Sequence, residues 1–232
     1  MNQLLVDCTG WGVVRVTGAD RVRLLQGLTT VNVEALATGG HAWGAILNPK
    51  GRVLSVIEVV RHDDHLLVEC EPGLLDKTAA LLDRYAVMDD VTFERQDGPA
   101  HRVWTTAASV WEAPLVLAPA PGPVADPAAV EVLRVEAGLP RYGVDVDEDC
   151  FPFETSLTRV LDYGKGCYIG QEPVFRDQRQ VAQLDDVGVD LEVPVVLVDL
   201  LPEQLDAAAR DDPGRIRQIG VIHVVGVLPT LV

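Results

Sequence analysis

One run of nine residues, Gly164-Lys165-Gly166-Cys167-Tyr168-Ile169-Gly170-Gln171-Glu172, gathers an amine, a thiol, an amide and a carboxylate between three glycines. Glycine at 164, 166 and 170 lets the backbone take positive φ, approach a ligand closely, or present N–H groups to an anion. Cys167 is the reactive atom of the run. An extended or looped backbone would put Lys165 on the same side as that thiol and favour the thiolate. A helix would turn the two apart. The same letters also fit a glycine turn packed around a buried cysteine, since cysteine is among the most buried residue types.

The chain that must position this run has 232 residues, 48% of them hydrophobic, enough for one large domain or two small ones with a real core. No apolar stretch reaches the ~18–20 residues of a membrane span, and the opening MNQLLVDCTG lacks the basic and apolar regions of a signal peptide. Cysteines at 8, 70, 150 and 167 form no CxxC pair, so neither a disulfide framework nor a zinc site is expected, and a cytoplasmic setting is. A formal net charge of -16 repels phosphate backbones, which argues against direct nucleic-acid binding.

Along the chain, Gly12 to Thr17 reads as a strand, Gly18-Ala19-Asp20 as a turn whose Asp caps a helix from Arg21 to about Leu28, and Thr29, Thr30 and Asn32 as a second cap before residues 33–37. Strands are expected at His41–Leu47, Arg52–Arg61 and Leu66–Cys70, the first two joined by the Asn48-Pro49-Lys50-Gly51 turn. The His62-Asp63-Asp64-His65 stretch reads as a polar turn rather than a metal site. A helix follows with Leu74, Leu75, Thr78, Leu81, Leu82 and Tyr85 at helical spacing. Strands at Val91–Arg95 and His101–Thr105, separated by Asp97-Gly98, suggest an antiparallel pair. This is an α+β pattern, with a ferredoxin-like segment over about 41–112. A proline-rich extended connection spans Ala113 to Pro127, and a helix from Ala128 to Ala137 is stopped by Gly138 and Pro140. The acidic run Asp145 to Asp149 reads as a solvated loop without EF-hand spacing.

Lys165 to Glu172, KGCYIGQE, resembles the signature of the YgfZ family of folate-binding proteins, relatives of the glycine-cleavage T-protein, an aminomethyltransferase. The order G-x-D, then LLQGLTT and VNVEAL, is similar to the N-terminal part of that family, and LRVEAGLPRYGVDVDED, from Leu133 to Asp149, looks like its LRxEAG segment. The resemblance covers about residues 12–176. It implies an aminomethyltransferase-like folate-binding fold with antiparallel sheets over residues 1–176, and tetrahydrofolate as cofactor. Glu136 would contact the pterin, Cys167 and Lys165 would be the catalytic pair, and Gly166, Tyr168, Gly170, Gln171, Glu172 and Arg176 would shape or complete the ligand site; no metal ligands are implied. Where aminomethyltransferases carry a catalytic Asp after a Gly turn, this chain has Ser55 and Val56, so aminomethyl transfer is not expected. The implied role is a folate-binding accessory protein for iron–sulfur protein assembly or repair and tRNA modification, with iron–sulfur enzymes as clients. Whether it catalyses a reaction of its own stays open. The alternatives are a true folate-dependent aminomethyltransferase and a non-catalytic interaction module.

Residues 177–232 do not match that family: they hold ten acidic residues and neither an aromatic residue nor a lysine. A divergent or truncated C-terminal β segment, or an altered reading frame, would each explain the break.

Overall fold

The computed structural model of the chain describes residues 3–106 and 108–175. The expectations for Arg176 and for 177–232 lie outside the described residues. Five antiparallel strands form the central sheet: β2 (Gly12–Thr17), β3 (His41–Leu47), β4 (Val53–Arg61), β5 (Leu66–Cys70) and β6 (Thr92–Gln96), in the order β3-β4-β5-β2-β6. Helices α1 (Arg21–Leu28) and α2 (Leu75–Tyr85) pack on one face, where Leu25, Leu28 and Leu82 meet Val14, Val16, Ile57, Val59 and Val68. Split βαβ units of this kind alternate their strands, and β4-β5-β2-β6 reproduces the ferredoxin-like order with β3 added at the edge. The ferredoxin-like segment therefore starts at Gly12, before the residue-41 boundary read from the pattern.

The other face of the sheet is covered as well. Val13, Trp43, Val56, Val60 and Leu67 pack there against β1 (Leu4–Asp7), β7 (His101–Trp104), α3 (Pro127–Ala137) and the short turns around Leu157. With both faces buried, the inner strands read as nearly continuous apolar runs instead of alternating ones. α3 has the ends expected of a stable helix: Asp126 accepts from the Ala128 amide (3.3 Å), Pro127 opens the first turn, and Gly138 closes it at φ 68°.

Two expectations fail. β6 and β7 are not a hairpin: β6 pairs with β2, and β7 pairs with β1 in a separate two-stranded ribbon. The reason lies in Arg102 on β7, which is fully buried against Glu58 (2.6 Å) and Glu69 (3.0 Å), two carboxylates directly opposite each other on β4 and β5. A strand laid across the sheet face brings the guanidinium to both carboxylates, while His41 on β3 meets Glu58 alone. Burial and the charge of Glu58 push the Glu69 carboxyl up, and the Arg102 guanidinium pulls against them. Residues 33–35 form a turn and 36–37 no regular element, so there is no second helix, because Thr29 and Thr30 are already committed. The Thr29 hydroxyl donates to Leu25 O (2.9 Å), and Thr30 accepts from the Ala45 amide (2.9 Å), which fastens the loop to β3.

Candidate functional site

The run Gly164 to Glu172 does its first work as the C-terminal cap of α1. A helix leaves its last carbonyls without intrahelical donors. Leu25 O takes the amide of Thr29, Gln26 O takes the Lys165 ammonium (2.8 Å), and Gly27 O takes the Ile169 amide (3.0 Å). Lys165 Nζ also donates to Thr29 O (2.5 Å) and Val31 O (2.6 Å), so all three of its protons are used, and the ring of Tyr168 lies 4.8 Å away. The side chain is only 6% exposed, and burial pulls the amine down to about 8 against the opposing charges of Asp162 and Glu34.

Cys167 lies between these two capping contacts and is exposed. Lys165 and Cys167 thus face opposite environments, and the expectation that the ammonium would lie beside the thiol is corrected. The reason is that the cation is worth more to the helix end, where three carbonyls and the negative end of the helix dipole meet it.

The second half of the run docks on the β3–β4 hairpin. Gly170 has φ 81°, and a Cβ there would lie 2.4 Å from Asn48 O. Gln171 folds back, its Oε1 accepting from the Tyr168 amide (3.1 Å). Tyr168 is buried, which pushes its phenol up to about 12. Tyr168, Gly170, Gln171 and Glu172 line a small cleft of about 260 Å³ with Pro49 and Pro173, while Gly166 stays exposed.

The structure also has a larger cleft of about 450 Å³, and no site residue expected from the sequence lines it. Its walls include Trp43 and Trp111, whose rings meet edge to face at 5.8 Å, and its polar groups are Asn32, Arg159 and Asp162. The Arg159 guanidinium lies 5.1 Å from the Trp111 ring centre. Both Trp111 Nε1 (2.7 Å) and Arg159 Nη1 (2.8 Å) donate to Ala137 O at the end of α3. Glu136, one residue earlier, is exposed, and its side chain makes no hydrogen bond or ion pair with a described residue. Asp162 joins cleft and cysteine loop: Oδ1 accepts from the amides of Gly164 (2.7 Å) and Lys165 (3.1 Å), and Oδ2 accepts from Asn32 (2.7 Å). These bonds, that from Asn32 foremost, hold the Asp162 carboxyl below its usual value.

Trp43, Trp111, Arg159 and Asp162 carried no signal in the sequence reading, because tryptophans and charges scattered over 120 residues have no shared spacing. Asn32 lay in a quoted motif, VNVEAL, together with the cleft residues Val31, Ala35 and Leu36. Ser55 is fully buried on the helix-covered side of β4, hydrogen-bonded to Thr78 (2.9 Å), and lines neither cleft. Among the described residues no group of three or more His, Cys, Asp or Glu is placed to hold a metal ion, and no helix is long and apolar enough to cross a membrane.

The fold class is α+β, of the aminomethyltransferase type: the structure is similar to that of the glycine cleavage system aminomethyltransferase T from Bartonella henselae, with a TM-score of 0.62 at 15% identity over 77% of this chain and 63% of that one. In sequence the chain is similar to the tRNA-modifying protein YgfZ of Yersinia enterocolitica, 26% identical over 74% of this chain and 66% of the relative. It is also similar to the tRNA-modifying protein YgfZ of Hamiltonella defensa, 37% identical over 36% of this chain and 25% of that one. The resemblance to the YgfZ family read from the motif is borne out. The chain spans less than two thirds of the length of these relatives, and no family model matches it.

Proposed function

We propose that the chain is a tetrahydrofolate-binding accessory protein that supports tRNA modification and the assembly or repair of iron–sulfur enzymes in the cytoplasm, with Cys167 as its working thiol. The observation that carries this reading is the chemistry of the 450 Å³ cleft. Trp43 and Trp111 offer apolar aromatic walls to a flat ring. Asp162 and Asn32 offer an acceptor and an amide to its polar edge, and Arg159, which makes no ion pair with a described residue, offers a cation to an acidic tail. These residue types fit a folate.

Bound there, the folate would supply one-carbon chemistry; the chain's own residues bind and orient it and present the thiol nearby. Glu136 serves as a carboxylate at the end of α3, next to the carbonyl that Trp111 and Arg159 hold. Gly166, Tyr168, Gly170, Gln171 and Glu172 give the loop its shape, and Lys165 holds it to α1. The names of the curated relatives support a place in tRNA modification. The net charge of -16 favours action through client enzymes over direct contact with RNA.

Calorimetric titration of the purified full chain with tetrahydrofolate tests the reading. Saturable one-site binding is expected, weakened at least tenfold by Trp111→Ala; no saturable binding would refute it. A second reading, an interaction module in which the motif is scaffold, is favoured by the capping of α1 by Lys165 and Ile169. Cys167→Ala separates the two: complementation of a strain lacking its own relative is lost if the thiol works and kept if the motif is scaffold.

A further inference from the structure

Behind the wall of the large cleft four residues close a hydrogen-bonded ring. Asp162 Oδ2 accepts from Asn32 Nδ2 (2.7 Å), Asn32 Oδ1 accepts from Gln26 Nε2 (3.2 Å), Gln26 O accepts from Lys165 Nζ (2.8 Å), and the Lys165 amide returns to Asp162 Oδ1 (3.1 Å). Two members, Asp162 and Asn32, line the cleft, whereas Gln26 and Lys165 are buried behind it. Cys167 follows Lys165 by two residues and sits outside the ring in the exposed part of the loop.

The carboxylate is the shared element. Its Oδ1 carries both amides that bend the chain into the cysteine loop, those of Gly164 and Lys165. Oδ2 carries one donor among the described residues, so with about four acceptor positions on an ionised carboxylate it retains room for a donor from the cleft. A ligand N–H that bonds to Oδ2 competes with or reorients Asn32. Because hydrogen-bonded rings of this kind polarise and orient one another, the change is passed to the loop amides and to the buried Lys165.

We propose that Asp162 is the positioning residue of the site, reading an N–H-bearing edge of the ligand in the cleft and setting the pose of the loop that presents Cys167. This rests on the reading that the cleft takes a folate and that the thiol works. It puts the ligand-reading carboxylate inside the cleft, whereas Glu136 does not line it. Binding and thiol presentation are then two faces of one equilibrium, and each shifts the other by the same factor.

The test follows the rate at which iodoacetamide alkylates Cys167, read on the peptide by mass spectrometry in the full chain, with calorimetric binding of 5-formyltetrahydrofolate measured on the same samples. Cys8 and Cys70 are buried, with thiols pushed up to about 12 and about 11, so the peptide readout isolates Cys167 from slow background. Three results are expected. Asp162→Asn, folded by circular dichroism, alkylates at least fivefold faster than wild type without ligand, while Asp83→Asn, exposed on α2 and outside both clefts, stays within twofold. Saturating 5-formyltetrahydrofolate slows wild type at least fivefold. That response disappears in Asp162→Asn. Equal ligand-free rates in Asp162→Asn and wild type overturn the proposal, as does wild type that binds the folate with no change in rate. If wild type does not bind the folate, the folate reading fails and the ligand-free comparison still decides the positioning role. Should Asp162→Asn not fold, Asn32→Ala opens the ring at its other side and must abolish the ligand response; a retained response overturns the proposal.

Discussion

Replacing Gly170 by alanine separates the scaffold of the cysteine loop from its chemistry. The residue sits at φ 81°, and a Cβ there would approach Asn48 O to 2.4 Å and Leu47 Cβ to 2.9 Å, both on the hairpin beneath the loop. An L-residue in the left-handed region costs about 1–2 kcal/mol. Overpacking against backbone that cannot move adds typically about 1–3 kcal/mol, so a loss of about 3 kcal/mol is expected in all. For a chain of this size that lowers Tm by roughly 6–12 °C. Gly166 in the same motif supplies the control, since a Cβ built there meets nothing within 4 Å. Gly166→Ala should stay within about 0.5 kcal/mol of wild type. Urea unfolding of the three chains, followed by tryptophan fluorescence, measures the difference. Equal midpoints for Gly170→Ala and Gly166→Ala would show that the loop does not press on the hairpin, and the cap-and-dock account of the motif would fall with it.

Cys167→Ala, at an exposed position, should unfold within about 0.5 kcal/mol of wild type, and a larger loss would mean that the thiol packs against something. Lys165 carries a pH signature. With the native amine at about 8 and its usual value at 10.5, the unfolded chain holds a proton between these pH values that the native state has released, so stability rises with pH there. Wild type should gain on Lys165→Met across that window, by at most about 1.4 kcal/mol per pH unit, and parallel curves would refute the buried amine. Glu69 has the opposite slope. Raised from 4.5 to about 9, it contributes stability that is present below pH 4.5 and is lost as pH climbs toward 9. Glu69→Gln should flatten that decline in urea titrations between pH 5 and 8, and an unchanged slope would mean that the carboxyl is ionised beside Arg102.

The chain by itself determined every element whose cause is local. β3 at His41–Leu47, β5 at Leu66–Cys70 and α1 at Arg21–Leu28 fall where the apolar spacing and turn residues put them, and α3 lies between its Asp-Pro start and its Gly stop. Side-chain periodicity and capping act within a few residues, so the letters carry them directly. β1 was missed because its four residues are too short to show a period. The motif at 164–172 was also legible as the place where chemistry gathers, together with the substitution at Ser55.

Only the tertiary structure decided what those residues touch. Lys165 reaches Gln26 across 139 positions and Asp162 reaches Asn32 across 130, distances over which no pattern in the letters links donor to acceptor. β6 and β7 are neighbours in sequence, yet they part company because the Glu58–Glu69 pair needs a buried cation from across the sheet. For the same reason the cleft walls Trp43 and Trp111 and the carboxylate Asp162 were silent: a site built from separate turns exists only once the sheet has brought those turns together.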